Sequence, residues 1–108
     1  MSSRVNLVRG YSHDPSVIER MKGERFHLIY IDGDHSLEVV RSDIRHYGPL
    51  VERLGFLVID DAGCFLPGRK YLGYFKGYES VSLACEEIPA LGFTNMLNVC
   101  HIRTYQRI

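Results

Sequence analysis

Two short apolar segments with an amphipathic helix between them constrain the fold of this chain more than any other feature. Residues Phe26–Ile31 and Phe56–Ile59 are almost entirely apolar, as expected of strands that are covered on both faces in a parallel sheet. Between them, apolar residues recur at helical spacing from Leu37 to Tyr47, behind a candidate N-cap at Ser36. A strand, a helix and a strand in this order predict a right-handed crossover unit in an α/β fold.

The flanking sequence extends this α/β pattern in both directions. We expect a strand over Arg4–Arg9 and a helix from Asp14 to Gly23, because Asp14-Pro15 is typical of a helix start. A further helix is expected over Tyr78–Ile88, and two more strands within Phe93–Ile108.

Length, charge and cysteine usage exclude several classes of protein. The chain has 108 residues, enough for one domain at most, and its 13 basic and 13 acidic residues cancel, which removes the electrostatic case for binding nucleic acid or a membrane. No apolar run approaches the roughly 18 residues that span a bilayer. The widely spaced Cys64, Cys85 and Cys100 are typical of reduced thiols. We therefore expect a cytoplasmic domain.

Both apolar strands end in carboxylates, namely Asp32 and Asp34 after the first and Asp60 and Asp61 after the second. The carboxyl ends of neighbouring parallel strands meet at one edge of the sheet, where open α/β sheets bind ligands. Converging carboxylates repel one another unless a cation joins them, and Mg²⁺ prefers such oxygen ligands. An ion there could lower the pKa of a substrate hydroxyl, and His35 is placed to act as general base.

The same acids also have a structural interpretation. Asp-Gly is common in turns, and a strand-to-helix junction favours Asp or Ser as a cap. For Asp34 alone, the turn role and the catalytic role are equally good explanations. Acids at two separate strand ends are harder to explain by turns, so the joint pattern favours a functional site.

A longer set of residues resembles a known family. It comprises Tyr30–Ser36, Asp43, Pro49–Val51 and Gly55–Asp61. This set resembles the class I S-adenosylmethionine-dependent methyltransferases, especially the small-molecule O-methyltransferases of the macrocin and caffeoyl-CoA type. The resemblance implies a Rossmann-like three-layer αβα sandwich with a mostly parallel sheet and an antiparallel C-terminal strand. The two apolar strands would be the fourth and fifth in the strand order 3-2-1-4-5-7-6.

By the same resemblance, the cofactors are S-adenosylmethionine and a divalent metal, with Mg²⁺ expected. The implied metal ligands are Asp32, Asp60 and Asp61. Asp34 or His35 matches the base that takes a proton from the acceptor hydroxyl.

The resemblance also assigns a cofactor site and a loop. Gly10, Tyr11 and Ser12 would lie near the adenine of the cofactor, and Asp32 close to the transferred methyl group. The aromatic-rich loop Phe65–Phe75 would be a lid over the acceptor, while its other interpretation is a surface loop with a few packed rings.

One part of the family pattern is missing. The family carries a glycine-rich loop that approaches the cofactor, whereas no two glycines of these 108 residues lie two positions apart. We therefore expect residues 1–108 to form a single partial methyltransferase-like domain, truncated on its N-terminal side. Such a domain is expected to form a homo-oligomer or to require a complementing N-terminal segment.

Three functions follow, in decreasing order of support. The first is a metal-assisted O-methyltransferase domain acting on a small hydroxylated acceptor. The second is a catalytically inactive methyltransferase-like remnant that serves as a binding or oligomerisation module. The third is a Mg²⁺-dependent phosphotransfer or phosphatase domain, which would need a positioned lysine. A family branch known as cephalosporin hydroxylase carries similar motifs and stays an alternative.

Overall fold

The computed structural model describes residues 5–67 and 75–108, which form a mixed α/β arrangement of one sheet and three helices. The elements, which are linked in places by short 3₁₀ turns, are α1 (Pro15–Met21), β1 (Phe26–Ile31), α2 (Leu37–Tyr47), β2 (Val51–Ile59), α3 (Glu79–Ala84), β3 (Phe93–Val99) and β4 (Ile102–Arg107). The predicted strand–helix–strand unit is confirmed, with the predicted bounds for β1 and α2, whereas β2 begins at Val51, well before the predicted start at Phe56. In the described ranges, no helix is long and apolar enough to cross a bilayer.

The four strands lie in the order β1-β2-β4-β3. Strands β1 and β2 are parallel and are joined through α2, while β4 runs antiparallel to both β2 and β3. The described sheet is therefore not mostly parallel, since two of its three strand pairings are antiparallel. Strands β3 and β4 must be antiparallel because a tight turn at Cys100-His101 joins them. The observed order equals the 4-5-7-6 part of the order implied by the resemblance.

The hydrophobic core lies between one face of the sheet and the helices α2 and α3. The sheet contributes Leu57 and Ile59, which have no exposed surface, and α2 contributes Val40 and Ile44. Because these α2 residues are four apart, they lie on one side of the helix. Ser36 caps α2 as expected, since its Oγ accepts a hydrogen bond from the amide of Val39.

The opposite face of the sheet is open. Leu28 and Phe56 are register partners there, and they are 55% and 36% exposed; Tyr30 on the same face is 48% exposed. The expectation that β1 is covered on both faces is therefore wrong, because the described helices that supply the core pack on the other face only. A third layer stays a prediction.

The segment before α1 differs from its prediction. Residues 5–9 form no strand, and Val5 and Leu7 are 67% and 90% exposed. Within the described ranges, strand β1 therefore pairs with β2 alone and its other edge is free. Helix α3 is also shorter than expected and continues as 3₁₀ turns at Cys85–Glu87 and Pro89–Leu91.

Candidate active site

The carboxyl ends of β1 and β2 lie side by side, as the sequence predicted. The amide of Asp60 donates a hydrogen bond of 3.0 Å to the carbonyl of Ile31, the last residue of β1. This bond continues the parallel ladder one residue beyond the strands and fixes the start of the turn that carries Asp60 and Asp61.

Asp61 adopts a left-handed backbone conformation with φ of 58°, which Asp tolerates better than most residues. Its carbonyl accepts a hydrogen bond of 2.9 Å from the amide of Tyr78, and the next amide, of Ala62, donates to the carbonyl of His101 at 2.6 Å. The turn after β2 is thus held from two sides, by the segment before α3 and by the β3–β4 hairpin.

The carboxylate of Asp60 is bound by two side chains, one from β1 and one from the turn between β3 and β4. Its Oδ2 accepts a hydrogen bond of 2.5 Å from the hydroxyl of Tyr30, and its Oδ1 lies 3.2 Å from Nε2 of His101. The hydrogen bond to Asp60, with smaller contributions from burial and from the charges of nearby carboxylates, raises the pKa of Tyr30 to about 12. The Tyr30 phenol therefore stays protonated near neutral pH and serves as a donor, not as a base.

The carboxylate of Asp61 binds the predicted base. Its Oδ2 lies 3.0 Å from Nε2 of His35. The His35 ring stacks on Tyr78 with 3.8 Å between ring centroids, and the hydroxyl of Ser80 donates to the His35 carbonyl. The imidazole is thus fixed in position and orientation by a carboxylate, an aromatic ring and its own main chain.

Four rings border the two acids, and we call them the aromatic row: His35, Tyr78, Phe75 and His101. The Phe75 ring centroid lies 5.5 Å from that of Tyr78 and 5.7 Å from that of His101. Phe75 belongs to the predicted lid, whereas residues 68–74 of that lid lie outside the described residues. Phe65, at the other end, is 63% exposed.

A group of potential metal ligands exists at this edge, and it includes a residue that sequence reasoning missed. Single ligand atoms of Asp60, Asp61 and His101 all lie within 4.8 Å of one another. Two carboxylates and an imidazole form a donor set that suits a divalent ion. Asp32 is outside this group, so its role as a ligand stays a prediction. No signal in the sequence around His101 singles it out, because its contact with Asp60 depends on the pairing of β4 with β2.

Asp34 is engaged in local structure. Its Oδ1 accepts a hydrogen bond of 2.7 Å from the amide of Ser36, just before α2. This bond holds the pKa of Asp34 below its usual value, which makes the carboxylate a weaker base. The geometry favours the turn interpretation of Asp34 and leaves His35 as the better placed base.

A larger cleft of about 420 Å³ lies on the other side of the β1 terminus. Three of the four predicted cofactor residues line it, namely Gly10, Ser12 and Asp32. The fourth, Tyr11, is 71% exposed, stacks on His13 and is not among the lining residues.

Ser12 is held in this cleft by α2. Its Oγ donates a hydrogen bond of 2.6 Å to Oδ1 of Asp43, and its carbonyl accepts one of 2.7 Å from the hydroxyl of Tyr47. Asp43 is only 4% exposed, and burial raises its pKa, partly offset by the hydrogen bond from Ser12.

The two clefts share the turn Asp32-Gly33. This turn lines the larger cleft together with Gly10 and Ser12, and it also lines a smaller cleft together with His35, Asp60 and Asp61. The smaller cleft has a volume of only about 10 Å³, so a molecule in the larger cleft and an ion or a single hydroxyl group in the smaller one would meet at the end of β1.

Comparison with known families gives one result for this chain. A family model described as a methyltransferase domain matches residues 1–62, more than half of the chain. The match covers α1, β1, α2 and β2, and with them every aspartate that lines either cleft. It ends before Tyr78 and His101. A search of curated proteins found no matching relative.

Proposed function

Because this chain belongs to the methyltransferase domain family, we propose that it takes part in methyl transfer from S-adenosylmethionine to an oxygen of a small hydroxylated molecule. The observation that carries this proposal is the turn Asp32-Gly33, which lines both clefts. A methyl donor in the larger cleft and an acceptor lying over the mouth of the smaller one, whose volume of about 10 Å³ admits only a group the size of a hydroxyl or an ion, would place the reacting atoms on either side of this turn.

The residues of the larger cleft would hold the donor. Gly10 and Ser12, which line the cleft, would contact the adenine, and Asp32, which lies at the end of β1 and lines both clefts, would be near the methyl group. S-adenosylmethionine supplies an electrophilic methyl group when it is bound. Asp43 and Tyr47 would position Ser12 through the two hydrogen bonds that they make with it.

His35 would take the proton from the acceptor hydroxyl. When Nε2 carries a proton and donates it to Asp61, Nδ1 is the basic nitrogen of the ring. Asp61 would stabilise the imidazolium that forms, as a carboxylate partner of a catalytic histidine does. A divalent ion held by Asp60 and Asp61 would lower the pKa of the acceptor hydroxyl.

The isolated chain is expected to bind S-adenosylmethionine weakly. Cofactor affinity in Rossmann-like sites depends on a glycine-rich loop at a helix N-terminus and on an acid that holds the ribose. The 108 residues contain no such loop. Gly10, Ser12 and Asp32 would therefore form the donor site by themselves, and we expect this site to bind S-adenosylmethionine with low affinity.

Weak binding is best tested residue by residue. We would titrate ¹⁵N-labelled protein with S-adenosylhomocysteine and follow the amide signals. Saturable shifts at Gly10, Ser12 and Gly33 are expected, and Ser12→Ala should weaken the binding whereas Tyr11→Ala, outside the cleft, should not. Shifts confined to other regions, or none at millimolar ligand, would contradict the donor site.

A second candidate function is an inactive module that forms homo-oligomers, and the open face of the sheet favours it. Leu28, Tyr30 and Phe56 expose apolar surface beside the unpaired edge of β1. Unpaired strand edges recruit other strands, and an uncharged face lets two copies approach without repulsion.

Sedimentation equilibrium tests this second candidate. A dimer is expected for the wild type, and Leu28→Lys should dissociate it. The control Leu7→Lys alters a side chain that is 90% exposed outside the sheet and should leave the mass unchanged. A monomer at tens of micromolar, with a cooperative thermal transition, would exclude this module.

A further inference from the structure

We infer that the metal centre takes a divalent transition ion, such as Mn²⁺, Fe²⁺ or Co²⁺, in preference to Mg²⁺, and that His101 is one of its ligands. This inference rests on the proposed function for the purpose of the ion, and on the contacts of Asp60, Asp61 and His101 for its chemistry. It changes the expected ligand set, because His101 comes from the β3–β4 hairpin and not from the two parallel strands.

The distance between His101 and Asp60 is suited to metal binding. Nε2 of His101 and Oδ1 of Asp60 are 3.2 Å apart. Two ligand atoms that each lie about 2.1 Å from an ion are separated by about 3.0 Å at an octahedral angle and about 3.4 Å at a tetrahedral angle. An ion can therefore bind both atoms without a change in the main chain.

The main chain around His101 is already fixed. Its carbonyl accepts the 2.6 Å hydrogen bond from Ala62, the residue after Asp61, so the hairpin and the acid turn are joined directly. The Phe75 ring packs against the imidazole, which is 32% exposed. A ligand held in this way loses little conformational freedom when an ion binds.

The donor set determines which ion is preferred. Mg²⁺ is bound in proteins almost entirely by oxygen and retains several waters, whereas imidazole favours transition ions. The two carboxylates provide charge, and the neutral imidazole provides selectivity.

The test uses Co²⁺ as a spectroscopic probe and Mg²⁺ as the comparison ion. Co²⁺ binding is followed by its visible absorption and Mg²⁺ binding by calorimetry, with neither cofactor nor acceptor present. Wild type should bind Co²⁺ at least about tenfold more tightly than Mg²⁺, and His101→Asn should lose roughly tenfold or more of the Co²⁺ affinity but little of the Mg²⁺ affinity. His27→Asn is the matched control, since His27 is 91% exposed and pairs with Glu52 elsewhere.

The outcomes separate this inference from the proposed function. Equal Co²⁺ affinity in wild type and His101→Asn, or no preference for Co²⁺ over Mg²⁺, would overturn the assignment of His101 while leaving the donor cleft unaffected. To exclude a folding defect, the imidazole ¹⁵N signals of the wild type are recorded with Zn²⁺. A selective shift of Nε2 in His101 supports ligation, and a shift confined to other histidines contradicts it.

Discussion

Nε2 of His35 lies 3.0 Å from Oδ2 of Asp61, so a residue of the segment after β1 is oriented by a residue of the turn after β2. The two residues are brought together by the parallel pairing of the strands and not by closeness in sequence. The ring of Tyr78 also stacks on one face of the imidazole, so His35 has one well-defined orientation at the mouth of the smaller cleft.

The first prediction concerns His35 as the base. His35→Ala should lower kcat/KM for methyl transfer by about 10²–10⁴-fold, because no base then takes the proton from the hydroxyl group of the substrate. Affinity for S-adenosylhomocysteine should not change, since His35 is not among the residues that line the larger cleft. Radiolabelled methyl transfer to a panel of hydroxylated acceptors measures this, with His27→Ala as control. Near-wild-type turnover of His35→Ala would remove His35 from the mechanism.

The second prediction compares two glycines with similar backbone angles. Gly77 and Gly92 have φ of 100° and 94°, so alanine is strained by a similar amount at both positions. A Cβ on Gly77 would lie 2.1 Å from the carbonyl oxygen of Asp61, whereas one on Gly92 meets nothing within 4 Å. Gly77→Ala should therefore cost about 3 kcal/mol or more and Gly92→Ala about 1 kcal/mol.

Urea denaturation of both glycine variants, together with their Co²⁺ affinity, checks this comparison. Only Gly77→Ala should weaken ion binding, because only it displaces Asp61. Equal losses of stability with unchanged ion binding would mean that the segment before α3 does not hold the acid turn.

The third prediction concerns Arg103, which is 6% exposed. Its guanidinium donates to the carbonyls of Ala62 at 2.6 Å and Cys64 at 2.7 Å, and in the described residues no carboxylate pairs with it. Arg103→Met would leave these buried carbonyls without a donor and should lower the free energy of unfolding by about 2–5 kcal/mol. The exposed Arg53→Met should change it by less than about 0.5 kcal/mol. If chemical denaturation shows similarly small losses of stability for Arg103→Met and Arg53→Met, Arg103 does not stabilise the turn after β2.

The fourth prediction is a pH dependence that arises at Asp43. Burial raises its pKa in the folded state, so the fold prefers the protonated carboxyl and loses stability as the pH rises through the folded pKa. Asp43→Asn removes this titration and still offers Ser12 an oxygen acceptor. The variant should gain stability relative to wild type as the pH rises from about 3 to about 7. Stability is measured by urea denaturation. If Asp43→Asn loses stability relative to wild type over the same pH range, the pKa of Asp43 is not raised in the folded state.

Features that depend on local pattern were predictable from the sequence. The bounds of β1, the cap at Ser36 and the convergence of Asp60 with the end of β1 follow from apolar periodicity, capping chemistry and the geometry of parallel strands. Such signals are contained within a few neighbouring residues and do not depend on the rest of the chain.

Features that depend on distant partners were not predictable. Whether residues 5–9 pair as a strand depends on the rest of the sheet, and in the described residues they do not pair although one edge of β1 is free. Strand β1 also has no second covering layer in the described residues. His101 reaches Asp60 only because β4 inserts between β2 and β3, a pairing that the sequence of the hairpin does not specify.

In the proposed site, the donor cleft and the acids Asp60 and Asp61 meet at the turn Asp32-Gly33. Paramagnetic relaxation measures this directly: Mn²⁺ is added to the protein with S-adenosylmethionine that carries ¹³C in the transferred methyl group. We expect Mn²⁺ to enhance the relaxation of this methyl carbon more than that of the adenine carbons, and Asp60→Asn to abolish the difference. Equal enhancement for the methyl and adenine carbons, with both Mn²⁺ and S-adenosylmethionine bound, would place the ion away from the methyl group and exclude a shared site at this turn.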